Sequence, residues 1–382
     1  MTTINYLTTI QFDFGALRLV PDELQRLNIQ RPLIVTDKGV RTAGLLARLE
    51  EAIGNSAKTF VYDETPANPT EDAVITATDV FRNEGCDGII AIGGGSPIDL
   101  GKAVALLATH PAPLQQYAVI EGGLNKITSR IAPLIAIPTT AGTGSEVGRG
   151  SMIVMKSGSK LGLLSPHLLP KVAICDPELT LGLPPMLTAA TGLDAIAHCI
   201  ETFLSAAINP PADAIALDGL RRAVRNIERA TFNGHDREAR WNMMMAATEG
   251  AMTFQKGLGS VHALSHPLGA LPKLQLHHGT LNAVLLPAVI RFNGPSVGGK
   301  LAALGDAMGI ASSVDPAEAI RALNKRLGLP SGLGAMGVTR DVLGQIAQLA
   351  TKDHCHATNP RKATGEDYVR ILEESYSGEE IA

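Results

Sequence analysis

Asp194 and His198 stand four residues apart in TGLDAIAHCIETF, and His262 and His266 repeat that spacing in GSVHALSHPLGA. A histidine pair, His277 and His278, follows in LQLHHGTLNAVLLP. Residues four apart share one helix face, so each spaced pair can aim at a single point. One carboxylate with several imidazoles is a donor set for a divalent transition metal such as iron or zinc. Taken singly, each of these histidines is an ordinary hydrogen-bonded residue. Their concentration between 194 and 278 is what points to a metal. His110, His167 and His235 lie outside that stretch and read as ordinary, while His354 and His356 in KDHCHATNPR are candidates to line a cleft.

A second chemistry lies upstream. GIIAIGGGSPIDLGKAVALLA reads as a buried strand, a glycine turn and a helix. The glycines let backbone approach an anion with no Cβ in the way, and the helix start presents free N–H groups and a positive dipole end. Gly94, Gly95 and Ser96 are the expected phosphate contacts, although the string is neither GxGxxG nor a Walker loop and names no cofactor by itself. The loop IPTTAGTGSEVGRGS (137–151) follows the same logic, and Thr139, Thr140 and Thr143 can hydrogen-bond a cofactor. Asp37 ends another strand; its carboxylate either accepts the two hydroxyls of an adenosine ribose, favouring NAD over NADP, or caps the next helix.

The elements that must position these residues fall into two halves. Apolar runs at 32–37, 59–64, 88–95 and 133–140 read as strands, with helices at 39–53, 70–84 and 97–109 between them. Strands apolar throughout and separated by helices predict a parallel sheet covered on both faces. Further short strands are expected at 151–156, 161–164 and 172–176. Beyond Pro184 and Pro185 the β-branched runs fade, and Ala, Leu and Met at helical spacing predict an all-helical remainder. The expectation is an α/β dinucleotide-binding domain at 1–183 and a helical metal-binding, catalytic domain at 184–382.

Composition bounds the rest. A chain of 382 residues is long for one core, which favours two domains. A net charge of −4 with no Lys/Arg run argues against nucleic-acid binding. The N-terminal stretch has no basic region followed by an apolar run, and no segment reaches the about 18 apolar residues of a membrane span. The four cysteines form no CxxC and read as buried reduced thiols, so a cytoplasmic enzyme is expected.

With the motifs GGGSPIDLGKA, PTTAGTGSEV, GLDAIAHCIE, GSVHALSHPLGA and HHGTLNAVLLP in place, the chain resembles the iron-containing (group III) alcohol dehydrogenases nearly end to end. The resemblance implies a dehydroquinate-synthase-like architecture with the active site in a cleft between an NAD domain and a helical domain. It implies Asp194, His198, His262 and His278 as ligands of Fe2+ (Zn2+ also suits the set), with His277 pointing elsewhere and His266 lining the site as the catalytic candidate. On the cofactor side it implies Asp37, Asn68, Gly94, Gly95, Ser96, Asp99, Thr139, Thr140, Thr143, Lys160, Leu179 and Gly182. It also implies a homo-oligomer, commonly a dimer. Gly148 stands where many members carry a threonine that touches the cofactor, and PLGALPKLQLHHG is longer than in members acting on short alcohols.

The expected reaction is reversible, NAD-linked hydride transfer between a small primary alcohol or hydroxy acid and its aldehyde. Arg149 and Lys273 are cations able to pair with a substrate acid group, as in a 4-hydroxybutyrate/semialdehyde couple. Glycerol-dehydrogenase-like or dehydroquinate-synthase-like chemistry on the same fold is the alternative.

Overall fold

The computed structural model describes residues 8–271 and 274–377. Lys273 therefore lies outside the described residues. Among the described residues the chain divides into two compact units, one of 8–140 with 144–182 and the other of 183–271 and 274–377 with 141–143.

The first unit is built on eight strands: β1 (Thr9–Phe12), β2 (Pro32–Val35), β3 (Phe60–Tyr62), β4 (Gly88–Gly93), β5 (Leu134–Pro138), β6 (Gly150–Val154), β7 (Lys160–Leu164) and β8 (Val172–Cys175). Six form a parallel sheet in the order β1-β8-β5-β4-β2-β3. Five helices accompany them: α1 (Val20–Arg26), α2 (Lys38–Thr42), α3 (Leu45–Ile53), α4 (Glu71–Asn83) and α5 (Gly95–Leu107).

The apolar-throughout strands have two jobs. Ile34, Ile90, Ile92, Ile135 and Ile137 pack with Leu24, Leu46 and Leu49 on one face. Their alternating neighbours Leu33, Val35, Ile89, Ala91 and Leu134 pack with Val74, Ala77, Ile98 and Val104 on the other. Successive side chains point to opposite faces, so a sheet covered on both sides needs apolar residues at both parities.

Three details depart from the expectation. The helix expected over 39–53 is two helices, because Gly44 adopts φ 77° and interrupts the ladder. β1 is an unforeseen edge strand, held by pairing with β8 (Thr9↔Val172). The strands expected at 151–156 and 161–164 form a separate antiparallel hairpin, β6–β7, outside the main sheet.

The second unit is helical among the described residues: α6 (Pro185–Leu204), α7 (Pro210–Phe232), α8 (Arg237–Met252), α9 (Ser260–Gly269), α10 (His278–Asn293), α11 (Lys300–Met308), α12 (Pro316–Arg326), α13 (Leu343–Ala350) and α14 (Gly365–Ser377). Pro185 opens α6 at a position where its missing N–H costs nothing. Every residue of α6 from Thr188 to Leu204 is buried. It packs against α7, α8 and α10. Polar residues on such a helix need partners inside the unit, and Asp194, His198 and Glu201 are all on it.

Candidate metal centre and cofactor loops

Three helices bring the metal-capable residues together. α6 supplies Asp194 and His198 one turn apart, α9 supplies His262 and α10 begins with His278. Oxygen Oδ1 of Asp194 lies 3.6 Å from His198 Nε2, 3.8 Å from His262 Nε2 and 3.8 Å from His278 Nε2. The two Nε2 atoms of His198 and His262 are 2.9 Å apart. His277 stays out of this cluster, its Nδ1 lying 3.3 Å from the hydroxyl of Thr280 in the first turn of α10.

A glycine makes the approach of α10 possible. A Cβ at Gly279 would meet the Ala190 carbonyl oxygen at 2.3 Å and Asp194 Cβ at 3.3 Å. The His-Gly pair therefore lets the start of α10 lie against α6 with His278 beside Asp194.

Partners not foreseen in the sequence hold the histidines. Glu201, one turn beyond His198, accepts from His262 Nδ1 at 2.5 Å and from the Val261 backbone N–H at 2.7 Å. It so anchors the N-terminus of α9 and directs the His262 Nε2 lone pair into the cluster, as a carboxylate behind a metal-binding imidazole does. The only advance signal was its helical spacing from His198; its partner lies about 60 residues downstream. Burial alone would depress His262, but the Glu201 hydrogen bond and the charges of Glu201, Asp194 and Asp353 leave it above its ordinary value. Burial pushes His198 down to about 4 against the pull of Asp194, so it is neutral.

The donor set fits a divalent cation. Asn282 Nδ2 lies 2.6 Å from Asp194 Oδ1, 3.2 Å from His262 Nε2 and 3.1 Å from His278 Nε2. Asp194 Oδ1 and the Nε2 atoms of three imidazoles thus face one another, and one carboxylate with three imidazoles suits iron or zinc.

His266, one turn past His262, is 4 % exposed and lies beside the cluster. Its ring stacks on His278 at 5.8 Å between centroids and 8° between planes. Its Nδ1 lies 2.8 Å from Asp353 Oδ2. His354 also stacks against His266, at 5.6 Å and 17°. His356 turns away, its Nδ1 lying 2.8 Å from the Tyr368 hydroxyl.

In the first unit, adjacent parallel strands β2, β4 and β5 end side by side and carry Asp37, Gly94–Ser96 and Thr139–Thr140 just past their C-termini. Ligands of open α/β sheets bind at such strand ends. Gly93 adopts φ 151°, and a Cβ there would meet Pro97 Cγ at 2.5 Å. That turn brings α5 to its start at Gly95, two residues earlier than expected, with Gly94 as its N-cap. The Thr139 N–H donates to the Gly93 carbonyl at 2.9 Å, and Thr140 flanks Gly94. The Ser96 hydroxyl donates to the Ala67 carbonyl at 2.6 Å, and Lys160 Nζ donates to Asn68 Oδ1 at 3.1 Å.

Three cofactor candidates have other occupations here. Asp37 Oδ1 caps α2, accepting from the Val40 N–H at 2.8 Å. Both oxygens of Asp99 are engaged inside the unit, by the Ser145 hydroxyl at 2.5 Å and the Met152 N–H at 2.9 Å. The Leu179 side chain belongs to the core, so any ligand contact there falls to its backbone. A Cβ at Gly182 would meet open space, and Thr143 groups with the helical unit.

Lys102, also unforeseen, accounts for Asp99. Its buried ammonium donates to the Ser145 hydroxyl and to the carbonyls of Gly148 and Gly150 at 2.7–2.9 Å. Burial pushes it down to about 8, opposed by Asp99 and Glu146. This charge group ties the 144–152 loop to α5, and Gly148 takes part through its carbonyl alone.

Models of two families match the chain: iron-containing alcohol dehydrogenase over residues 8–177, and the C-terminal part of the Fe-containing alcohol dehydrogenase family over 188–376. The chain belongs to the iron-containing alcohol dehydrogenase family. The resemblance read from its motifs is thus shown, and an iron-type alcohol dehydrogenase is an oxidoreductase. A 4-hydroxybutyrate dehydrogenase of Cupriavidus necator is 57% identical, covering 98% of this chain and 100% of that one. A 1,3-propanediol dehydrogenase of Citrobacter freundii is 37% identical, covering 96% of each. A 1,3-propanediol oxidoreductase crystal structure superposes with a TM-score of 0.90 at 35% identity, covering 98% of this chain and 100% of that one.

Proposed function

We propose that this iron-type alcohol dehydrogenase catalyses the reversible, NAD-linked oxidation of a small hydroxy acid of the 4-hydroxybutyrate type to its semialdehyde. The observation that carries the metal assignment is the convergence of Asp194 Oδ1 with the Nε2 atoms of His198, His262 and His278. A divalent iron held there supplies Lewis-acid polarisation of the alcohol oxygen, and NAD supplies the hydride acceptor.

The chain's own residues bind and orient. The Gly95 and Ser96 N–H groups at the start of α5 receive the pyrophosphate, with Thr139 and Thr140 alongside. Asp37 keeps Oδ2 for a ribose hydroxyl while Oδ1 caps α2, and Lys160, braced by Asn68, reaches the second ribose. Glu201 holds the His262 ring in register. His266 accepts a hydrogen bond from the substrate hydroxyl at Nε2. In this reading the six-stranded unit holds NAD and the helical unit the metal, the roles expected of 1–183 and 184–382. A cytoplasmic homodimer belongs to the same proposal; four free, buried cysteines support a reducing compartment. Among the described residues no helix is long and apolar enough to cross a membrane.

The hydroxy-acid class is supported by end-to-end identity with the 4-hydroxybutyrate dehydrogenase. Arg149 is exposed and available to pair with a carboxylate. Initial rates of NADH formation with 4-hydroxybutyrate, 1,4-butanediol and 1-butanol test this. One charge-assisted contact predicts a kcat/KM for the hydroxy acid higher by about tenfold or more. Equal values for the neutral alcohols would remove the acid class and leave a general alcohol dehydrogenase.

A further inference from the structure

The turn after α13 carries a carboxylate aimed at the one site histidine that is not in the ligand set. Asp353 caps the short 3-10 turn His354–Thr358, its Oδ1 accepting from the Cys355 N–H at 2.8 Å. Its Oδ2 lies 2.8 Å from His266 Nδ1. One oxygen is thus fixed by its own backbone and the other reaches across to α9.

We infer that Asp353 is a positioning residue for His266: it takes the Nδ1–H of that ring and so leaves Nε2 as the acceptor presented to the substrate hydroxyl. This rests on the reading that His266 meets the substrate, given above.

Two independent features support it. The first is the stack. The His266 ring is nearly parallel to two imidazoles, those of His278 and His354, whose centroids are 5.8 and 5.6 Å away. Stacking against them fixes the plane of the ring but not which edge points which way. A flip about χ2 exchanges the edges of an imidazole without disturbing either stack. A carboxylate at one edge removes that degeneracy, because a ring lone pair facing an anion is repelled and an N–H is bonded.

The second is the charge state. Burial opposes ionisation of Asp353, but the hydrogen bonds it accepts from His266 Nδ1 and the Cys355 N–H help to hold its carboxyl well below the usual range. It is an anion and accepts only. His354 Nδ1, 3.5 Å from Asp353 Oδ1, adds a second imidazole to the same carboxylate.

His266, Asp353, His354 and Cys355 bring ligand-type atoms within 4.8 Å of one another. Burial pushes the Cys355 thiol well above its ordinary value, with Asp353 adding to the push. The ring nitrogen of His266 nearest the group is already committed to Asp353.

The test is a double-mutant cycle in the full-length, metal-loaded enzyme, with Asp353→Asn, His266→Ala and the double variant. Loss of an orienting partner predicts a fall in kcat of roughly 10–100-fold for Asp353→Asn, with KM and metal content little changed. The double variant should be no slower than His266→Ala, because the carboxylate has nothing left to orient. Multiplying losses, or wild-type turnover in Asp353→Asn beside a slow His266→Ala, overturns the inference and leaves the role of His266 standing. Wild-type turnover in His266→Ala removes that role, and the inference with it. A readout independent of turnover is the imidazole nitrogen spectrum of 15N-histidine-labelled protein, with the His266 signals identified by their loss in His266→Ala. The Nδ1–H tautomer is expected. An Nε2–H tautomer in the wild type contradicts the inference even if Asp353→Asn folds poorly.

Discussion

Glu201 shows how much of this site depends on residues that are not ligands. Its two oxygens hold the first turn of α9 and the Nδ1–H of His262 together. Glu201→Gln keeps the size but lets the amide present either face, so the His262 tautomer is no longer imposed. The expected outcome is roughly 10–100-fold weaker metal binding, read by titration of iron or zinc into metal-free protein. Wild-type affinity in this variant would mean that His262 is oriented by packing alone.

Glu249 carries a pH dependence at the same scale. It lies 3.5 Å from Arg222, yet burial pushes its carboxyl up to about 8, with Arg222 opposing and Asp218 adding to the push. Arg222 serves Asp218 better, holding that carboxyl below its ordinary value despite burial. The folded-state value of Glu249 is above the unfolded 4.5, so from pH 4.5 to about 8 the folded protein keeps a proton that the unfolded chain has released. Stability from this group is therefore full below 4.5 and is lost as pH rises to about 8. Glu249→Gln removes the penalty. It should match the wild type near pH 4 and exceed it at pH 9 by about 1–3 kcal/mol in urea unfolding, less than the full linkage value because the carboxyl keeps some solvent access. Parallel pH curves for the two proteins would rule this out.

At the scale of elements, the local patterns were readable and the meetings between them were not. Apolar runs at both parities identified β2, β4 and β5, and the spacing of Asp194 and His198 placed both on one face of α6. The split at Gly44 escaped because a lone glycine inside an apolar-periodic stretch does not announce its φ. β1 escaped because it is held by β8, more than 160 residues away (Thr9↔Val172). Asn282 and Asp353 escaped for the same reason: each meets the site only once α10, or the turn after α13, has packed. Gly279 is where that packing is tightest. Gly279→Ala should push α10 from α6, destabilise the protein by about 1–3 kcal/mol through overpacking, and weaken metal binding with it. Thermal unfolding and metal titration measure both. A variant with unchanged metal affinity would show that His278 does not depend on the helix contact.

At the scale of the whole molecule, α6 is the member on which both stability and chemistry rest, since it is buried along most of its length and carries two of the four proposed ligands. Metal should then act as a stabilising ligand. Bound iron at a hundred times its dissociation constant adds about 2.7 kcal/mol of stability. Chelation should accordingly lower Tm by several degrees, reversed by adding the ion back. A Tm indifferent to chelation would contradict a metal bound to the folded state at this site. The loss of β-branched runs after Pro184 and Pro185 was legible as a turn to helix, and α6 opens there. The assignment of residues 141–143 to the helical unit was not, because it depends on contacts such as Gly142 against Thr191 rather than on composition.

The central claim is that four side chains of the helical unit grip one cation. Anomalous diffraction at the iron edge, from crystals of protein purified without added metal and loaded with Fe2+, tests it most directly. The account predicts a single strong peak within bonding distance of Asp194 Oδ and the Nε2 atoms of His198, His262 and His278. A peak bound instead by His266, Asp353 and His354, or none near α6, would contradict it.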